Sequence, residues 1–340
     1  MIDHYPVPGF GTLKSEILDK GLCTGCSICT IMCRFENLVF EDLPVMKQEC
    51  SSCQLCNIVC PRAGEISQKL QKDWEILDRH AIIRSARSTD EGILKVCQDG
   101  GVTTSLLWYA LSRGLIDGAV VSGVKDLKPV PIIASTYQEL VSSAGVRYSP
   151  SPTYQALLSH SRNGNVKGRE ARLGLVGTPC QILALRNMQV PDIEGAVLEP
   201  SDLIKFNIGL FCMEQFDSSF LEYLKTKIDM QNAKKFKMTG NGLNITFADG
   251  SKILVENAEI RNFVRSNCRV CVDFTSKYAD ISVGSAGSPT GWTTVIIRSD
   301  AGRAIYSGAL RCGHIIENQK SPNHMTIERL SKKKIGRDRI

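Results

Sequence analysis

Two cysteine runs of identical spacing lie near the N-terminal end of the chain and restrict its fold more than any other feature. The first run is CTGCSICTIMC (Cys23–Cys33), and the second is CSSCQLCNIVCP (Cys50–Pro61). Both follow the pattern C-x2-C-x2-C-x3-C, and the second copy begins 27 residues after the first. The repeated spacing indicates an internal duplication in which both halves bind the same kind of group.

This spacing is the one that bacterial two-cluster ferredoxins use for four-iron clusters. Three thiolates two residues apart wrap one corner of a cluster, and the fourth thiolate of each run ligates the other cluster. The crossing joins the repeats into one ferredoxin-like unit. The predicted ligands are Cys23, Cys26, Cys29 and Cys60 for one [4Fe–4S] cluster, and Cys50, Cys53, Cys56 and Cys33 for the other. The alternative is zinc, but zinc sites pair two C-x2-C steps across a loop without the third step.

Four of the remaining cysteines are spaced less regularly. Cys180 in VGTPCQ and Cys212 in GLFCME each follow a predicted buried strand, while Cys268 and Cys271 form a C-x2-C pair in SNCRVCVDF. In an α/β sheet the carboxyl ends of the strands build the sites, so the four thiols are expected to converge there. The residues alone leave three interpretations open: a third [4Fe–4S] cluster, a structural zinc site, or unconnected buried cysteines.

The composition sets the compartment and the class. The 340 residues are 43% hydrophobic and 22% charged, without a long apolar run, so we expect a globular chain without direct membrane insertion. The start MIDHYPVPGFG has no signal-peptide pattern, which predicts a cytoplasmic location where thiols stay reduced. Fourteen cysteines then indicate ligation rather than disulfides. Cys97 and Cys312 are expected to be small buried hydrophobes.

The net charge of +6 does not predict a nucleic-acid partner, because the basic residues are scattered apart from the tail SKKKIGRDRI. Two interpretations of that tail, residues 331–340, are a solvated end and a contact for an acidic partner subunit.

The chain divides into an N-terminal ferredoxin-like domain (1–66), a charged linker (67–90), a catalytic domain (91–330) and the basic tail (331–340). Strand–helix alternation in the catalytic domain predicts a mixed α+β fold of the α/β class with a largely parallel sheet. The segment GLNITFADGSKIL alternates around ADGS and predicts an antiparallel β-hairpin.

Two glycine-containing segments are candidate loops for a phosphate-bearing cofactor. The first, in CQDGGVTTS, lies at a predicted helix N-terminus, where free N–H groups favour anions. The second, GSAGSPTGWTT, lies between two predicted strands. Neither matches G-x-G-x-x-G, so an ordinary dinucleotide site is not predicted, and plain turns are the alternative. The candidate contacts are Asp99, Gly100, Gly101, Thr103 and Thr104 in the first loop, and Ser285, Ser288, Gly291, Trp292 and Thr293 in the second.

Five segments in order resemble the family formed by the beta subunits of coenzyme F-420-reducing hydrogenases and dehydrogenases. They are VCQDGGVTTSLLWYAL, AGVRYSPSP, GTPCQ, GLFCMEQF and CRVCVDFTSKYADISVGSAGSPTGW. The resemblance implies FAD, a [4Fe–4S] cluster on the four dispersed cysteines, and a site for the deazaflavin coenzyme F-420. It also implies that both glycine loops contact FAD. The segment AGVRYSPSP adds Arg147 and Tyr148, although GVRY stands where the family often has GTKY.

The cysteine runs are a departure from the hydrogenase subunit and resemble the electron-input subunit of the archaeal F-420 dehydrogenase complex. That resemblance implies an iron–sulfur flavoprotein in which reduced coenzyme F-420 gives a hydride to FAD, so no catalytic side chain is required. Single electrons then pass through the clusters to a partner, the peripheral arm of a membrane complex at its cytoplasmic face. Alternatives are a ferredoxin, heterodisulfide reductase or glutamate synthase partner, a branch that reduces chlorophyll derivatives, and a relay subunit without a coenzyme site. Arg147, Lys277 and Arg298 are candidates for the anionic coenzyme tail.

Overall fold

The duplicated cysteine runs fold into matching turns in the N-terminal unit, by which we mean residues 9–63. The structure is a computed structural model that describes residues 9–63, 81–158, 165–166, 169–189 and 201–336. Each run enters a single helical turn through a left-handed residue, Ser27 with φ 67° and Gln54 with φ 66°. The duplication predicted from the sequence is therefore present in the backbone.

The N-terminal unit contains three short helices and one hairpin. The helices are α1 (Phe10–Leu13), which continues as a π-helical turn (Lys14–Leu18), α2 (Ile28–Ile31) and α3 (Leu55–Ile58). The hairpin pairs β1 (Leu38–Phe40) with β2 (Pro44–Met46) between the two cysteine runs.

An eight-stranded mixed sheet forms the centre of the larger part of the chain. Its strands are β3 (Ile82–Ser88), β4 (Gly118–Lys125), β5 (Lys128–Ala134), β8 (Leu173–Gly177), β9 (Ile204–Leu210), β13 (Ile281–Gly284), β14 (Thr293–Ile297) and β15 (Ile315–Glu317). A small hairpin, β6 (Asn165–Val166) with β7 (Arg169–Glu170), precedes β8. The strand order is β15-β3-β14-β13-β9-β8-β4-β5. The four strands β13, β9, β8 and β4 are parallel, whereas every pairing outside them is antiparallel.

Helices cover both faces of this sheet. The helices of the larger part are α4 (Glu91–Val96), α5 (Val102–Ser112), α6 (Tyr137–Ser142), α7 (Pro179–Gln189), α8 (Ser218–Lys227), α9 (Asn257–Ile260), α10 (Ser266–Arg269), α11 (Asp300–Arg311) and α12 (His324–Ile335), with 3-10 turns at Thr153–Leu157 and Arg261–Phe263. Of these, α8 and α9 pack against a second, smaller sheet instead. Strand β4 shows why two layers are needed, because its side chains alternate between faces. Ala119 and Val121 join the core beneath α5 and α11, and Val120 joins the core beneath α7.

The second of these cores also includes the N-terminal unit. Ile28 and Val59 pack with Leu157 and Ile182 of the larger part in one buried cluster. Apolar burial of this kind fixes the N-terminal unit against the face of the sheet that carries α7.

A separate three-stranded antiparallel sheet follows α8. It comprises β10 (Ala233–Met238), β11 (Gly242–Phe247) and β12 (Lys252–Glu256) in that order. The pairing of β11 with β12 confirms the hairpin predicted around ADGS. Phe216, Phe220 and Leu243 form the small core beneath it.

The structure differs from two expected boundaries. The expected linker (67–90) is too long, because Ile82–Ser88 is a strand paired on both sides and its Ala86 is fully buried. Residues 64–80 of that linker lie outside the described residues. The expected solvated tail (331–340) is wrong over its first part, since α12 continues to Ile335 and buries Ser331 and Lys334. Residues 337–340 are again outside the described part.

A buried carboxylate connects the central strands to the helices. One oxygen of Asp280 accepts from the backbone and side-chain amides of Asn207, at 2.9 and 2.6 Å, and the other accepts from Arg186 at 3.0 Å and Ser299 at 2.7 Å. We expect Asp280→Asn to lower the free energy of unfolding by about 2 kcal/mol. The amide removes the negative charge, and its NH2 group would face the donors that the carboxylate accepts from. Urea denaturation measures this. Asp126→Asn, at an exposed turn between β4 and β5, is the matched control, and equal stability of the two variants would contradict the prediction.

Candidate functional site

Twelve of the fourteen cysteines form three groups in space. All fourteen lie in described segments and are free thiols. We call Cys23, Cys26, Cys29 and Cys60 the first cysteine group, Cys33, Cys50, Cys53 and Cys56 the second cysteine group, and Cys180, Cys212, Cys268 and Cys271 the third cysteine group.

Three members of the first cysteine group are buried and Cys23 is half-buried, and the thiols lie near one another. Burial raises the pKa of Cys26, and the neighbouring thiols of Cys60 and Cys23 raise it further. Burial likewise raises the pKa of Cys29, followed by the effects of Cys26, Cys60 and Cys23. The fourth residue of the second run, Cys60, therefore lies among the first three residues of the first run.

The second cysteine group shows the reciprocal exchange. Burial raises the pKa of Cys56 to about 12, with further contributions from Cys50, Cys53 and, more weakly, Cys33. Cys50 and Cys53 are exposed, so this group reaches the surface. The structure thus brings together the same two sets that the crossed spacing predicts.

Backbone amides point at the thiols in both repeats. The amide of Gly25 donates to the Cys23 sulfur at 3.4 Å, and the amide of Ser52 donates to the Cys50 sulfur at the same distance. Amides of this kind stabilise thiolates and tune the clusters that thiolates hold.

The third cysteine group forms where two neighbouring parallel strands end. Cys180 follows β8 in the first turn of α7, Cys212 follows β9, and α10 with the residue pair after it brings Cys268 and Cys271. Burial raises the pKa of Cys268 to about 11, and the thiols of Cys180 and Cys271 raise it further. A shallow cleft lined by Arg62, Cys180 and Cys271 opens at this group.

The spacing of these groups bears on the zinc alternatives. In the described part of the chain, no three Cys, His, Asp or Glu side chains converge closely enough to hold a single metal ion. A four-iron cluster holds its cysteine sulfurs farther apart than a single ion does, because iron and sulfide lie between them.

Two cations beside the third cysteine group were not anticipated from the sequence. Lys334 of α12 is 2% exposed, and its Nζ donates to the backbone oxygens of Cys212 and, at 2.8 Å, Asp273. Arg62 of the N-terminal unit donates from Nη2 to the backbone oxygen of Asn267 at 3.1 Å, and its Nε is buried without a hydrogen-bond partner. A signal for Lys334 does exist, because it continues the buried helical stripe of Ile327 and Ser331.

These cations change the protonation of one thiol. Burial by itself raises the pKa of Cys271, but the charges of Lys334 and then Arg62 outweigh it and hold that pKa below its ordinary value. Cys271 therefore differs from Cys180, Cys212 and Cys268, whose pKa values burial raises. A low thiol pKa favours the thiolate, which is the form that binds metal.

The first cysteine group lies between the third group and the surface-exposed second group. The pKa of Cys23 is raised mainly by burial and also by the thiol of Cys180. Arg265 Nη2 donates to the backbone oxygen of Cys23 at 2.7 Å, and Asn187 Nδ2 donates to that of Cys60 at 3.2 Å. The three groups therefore form a series from the sheet edge to the protein surface.

The two glycine loops, far apart in sequence, meet in the structure. The amide of Gly100 donates to the Thr293 hydroxyl at 3.1 Å, and Gly101 enters α5 with a left-handed φ of 73°. Any Cβ at Gly100 would lie 2.8 Å from the backbone oxygen of Ala86 and from the backbone nitrogen of Thr293. Close approach of this kind is possible only for glycine. We call the place where Gly100 meets Thr293 the glycine cradle.

The other predicted flavin contacts differ in their burial and in their hydrogen-bond partners. Asp99 forms an ion pair with Lys237 of β10 at 3.0 Å, and the Ser288 hydroxyl lies 2.7 Å from that of Thr294. Thr104 is buried and Thr103 half-buried at the start of α5, while Ser285 is exposed. Gly291 adopts a φ of 81°, and Trp292 beside it is half-buried.

The candidates outside the loops have different surroundings. Arg147 donates from Nη1 to the Ala144 oxygen at 3.1 Å, and its Nε is buried without a hydrogen-bond partner, as a site for an anion requires. The Tyr148 hydroxyl accepts from the Met238 amide at 2.9 Å, and burial raises the Tyr148 pKa to about 12.

The two remaining candidates for the coenzyme tail lie near the third cysteine group. Arg298 donates to the hydroxyls of Ser282 and, at 3.2 Å, Thr275. The backbone amide of Lys277 donates to both carboxylate oxygens of Asp273.

The two cysteines outside the groups are less buried than expected. Cys97 is half-buried and donates to the Asp99 oxygen at 2.9 Å. Cys312 is exposed at the end of α11, next to Arg113, so its predicted burial is wrong. Within the described segments, no helix has the length and apolar character needed to cross a membrane.

The described part of the chain thus combines three cysteine groups with a mixed α/β sheet and two glycine loops that meet. Comparison with known sequences identifies the family. The profiles for the N-terminal and C-terminal parts of the coenzyme F420 hydrogenase/dehydrogenase beta subunit match residues 83–158 and 170–323, respectively. The chain belongs to the family of coenzyme F-420 hydrogenase/dehydrogenase beta subunits, as its motifs predicted.

Two curated relatives extend this relationship. The coenzyme F420-dependent sulfite reductase of Methanocaldococcus jannaschii is 33% identical over 95% of this chain, which spans 50% of that protein. A subunit of the F(420)H(2) dehydrogenase of Methanosarcina mazei is 31% identical over 66% of this chain and 62% of its own length.

A solved structure confirms the mixed α/β fold. A chain of the F420-reducing [NiFe] hydrogenase complex from Methanosarcina barkeri superposes with a TM-score of 0.71 at 33% identity, covering 78% of this chain and 91% of that one.

Proposed function

We propose that the chain is an iron–sulfur flavoprotein subunit that oxidises reduced coenzyme F-420 and delivers electrons to a partner of a membrane-bound respiratory complex. When bound, FAD supplies the hydride acceptor and three [4Fe–4S] clusters supply a one-electron path. The observation that carries the proposal is the series of three cysteine groups, which begins at the carboxyl edge of the sheet and ends at the exposed Cys50 and Cys53.

The residues of this chain fit the proposed flavin. Gly100 and Gly101 let the loop before α5 pack directly against β3 and β14, and α5 is an 11-residue helix whose first amides favour phosphate. The unpaired Nε of Arg147 offers a further donor to an anion. Trp292, half-buried in the second loop, is suited to pack against a flat ring.

The residues of the three cysteine groups fit the proposed clusters. Amides directed at sulfur and, beside the third cysteine group, two cations lower the free energy of an anionic cluster and so offset the cost of its burial. In the two ferredoxin-like clusters, Cys33 and Cys60 would exchange partners between the runs. No side chain needs to act as an acid or base, because the transferred hydride moves between rings.

The identity of the partner rests on the relatives. Similarity to a subunit of the F(420)H(2) dehydrogenase supports partner subunits, and we propose that these belong to a membrane complex with this chain on its cytoplasmic face. Similarity to the coenzyme F420-dependent sulfite reductase extends over nearly the whole chain and includes the cysteine runs, which supports a different electron acceptor as the second candidate.

An anaerobic turnover experiment tests the proposed activity. The purified chain is reconstituted with iron, sulfide and FAD, and then mixed with reduced coenzyme F-420 and a one-electron dye. We expect deazaflavin oxidation to be matched by two equivalents of reduced dye. Absence of reaction in protein that holds one FAD and about twelve irons, as three four-iron clusters require, would overturn the coenzyme assignment. It would favour a relay subunit instead.

A further inference from the structure

Two cations lie beside the third cysteine group, one from the N-terminal unit and one from the last helix. Lys334 comes from α12, and Arg62 comes from the N-terminal unit. Both lie outside the segments that the family profiles match, which are residues 83–158 and 170–323. The profile-matched segments thus supply the thiols, and the segments that flank them supply the positive charges.

Lys334 is almost fully buried, and a role limited to holding the backbone in place would not require its positive charge. At 2% exposure it gives up hydration, which several kcal/mol of favourable interactions must offset. Its hydrogen bonds to two backbone oxygens satisfy donors but carry no full negative charge. The groups near its ammonium that become negative are the side chains of Cys212, Cys268 and Cys271, once ionised as cluster ligands, and the buried carboxyl group of Asp273.

Arg62 approaches the same group from the opposite segment. Its guanidinium contacts the Cys271 thiol and is also influenced by Cys180 and Cys268. It lies near Cys60 of the first cysteine group as well, so it occupies the junction between the first and third groups.

The electrostatic consequence follows from the sign of the charges. A four-iron cluster on four thiolates carries roughly −2 before reduction, and the added electron makes it more negative. A fixed positive charge in a medium of low dielectric constant stabilises the more negative state by more. Removing one cation should therefore make reduction less favourable.

Resting on the proposed function, we propose that Lys334 and Arg62 set the reduction potential of the third cluster, so that segments outside the two profile-matched ranges determine how readily that cluster accepts electrons. They act as positioning charges, since neither is a cluster ligand. Because the first and second clusters lie farther from Lys334, their potentials should change less when Lys334 is replaced.

The test is a redox titration followed by electron paramagnetic resonance on the reconstituted full chain. Lys334→Met keeps the apolar stem and removes the charge. We expect the equilibrium constant for one-electron reduction of the third cluster to fall at least tenfold, which corresponds to about 59 mV. Lys333→Met removes a charge one residue away on the exposed face of α12 and should leave the midpoint unchanged. Lys334→Arg should restore it.

Two further variants keep the test decisive. Lys334→Gln retains donors without charge, so a lowered midpoint in it excludes a clamp role, and it replaces Lys334→Met if that variant does not assemble. Arg62→Gln should lower the same midpoint independently of α12. Equal third-cluster midpoints in Lys334→Met, Lys334→Gln and Lys333→Met would overturn the inference while leaving the proposed function intact. A wild-type chain that binds only about eight irons and lacks the third signal would overturn the third cluster itself and the inference with it.

Discussion

Replacement of Cys271 by alanine is expected to separate flavin reduction from cluster reduction. In the proposed path the third cluster connects the flavin to the two ferredoxin-like clusters, so loss of the third cluster interrupts that path. Reduced coenzyme F-420 should still bleach the flavin in Cys271→Ala. Reduction of the two ferredoxin-like clusters should slow on the order of a thousandfold, equivalent to about 4 kcal/mol in the barrier.

Rapid-freeze paramagnetic resonance after mixing with reduced coenzyme F-420 measures both rates in one experiment. It is preferable to a dye assay, because a small dye can take electrons directly from the flavin. Cys312→Ala is the matched control, since Cys312 is exposed and belongs to no group. Retention of about eight irons in Cys271→Ala would show that the N-terminal unit remains assembled. Wild-type rates of cluster reduction in that variant would mean that electrons bypass the third group.

The cysteine groups could be predicted because their geometry is largely encoded in short spacings. The exchange of Cys33 and Cys60 follows from the three-residue step, and the meeting of Cys180 with Cys212 follows from parallel strands that end at the same edge. The cations beside the third group could not be predicted in the same way. Lys334 reaches Cys212 across more than a hundred residues of sequence, and only the stripe of α12 indicates its burial.

The sheet edges and boundaries were harder for a related reason. Strand–helix alternation predicts the parallel centre, but β14, β3 and β15 pair antiparallel through contacts between distant segments. The sequence does not predict the strand β3, because its segment IIRSARS carries two arginines and follows a charged stretch that is typical of a linker. Its burial comes from neighbours on both sides, and such neighbours are not visible in local composition.

The second prediction with a large expected effect concerns Gly100. Its loop is fixed by close packing against two strands rather than by a side-chain contact. Gly100 lies over the point where Ala86 of β3 pairs with Thr293 of β14. In Gly100→Ala the new methyl group would meet backbone atoms of both strands at 2.8 Å, so the loop must move away from them. We expect FAD binding to weaken about 100-fold, or about 2.7 kcal/mol, which lies within the range for overpacking. Equilibrium titration of the deflavinated protein with FAD measures it.

The control for this prediction is Gly240→Ala in the turn between β10 and β11, where a methyl group meets no atom within 4 Å. Iron content should be equal in both variants, because Gly100 donates its amide to Thr293 and not to any of the three cysteine groups. If Gly100→Ala lost FAD and iron together, general unfolding rather than loop displacement would be the cause. If it bound FAD as tightly as Gly240→Ala, the meeting of the two glycine loops would be a structural turn, and the flavin would have to bind elsewhere on the sheet edge. FAD binding in these two variants therefore distinguishes a cofactor site at the glycine cradle of Gly100 and Thr293 from an ordinary strand connection.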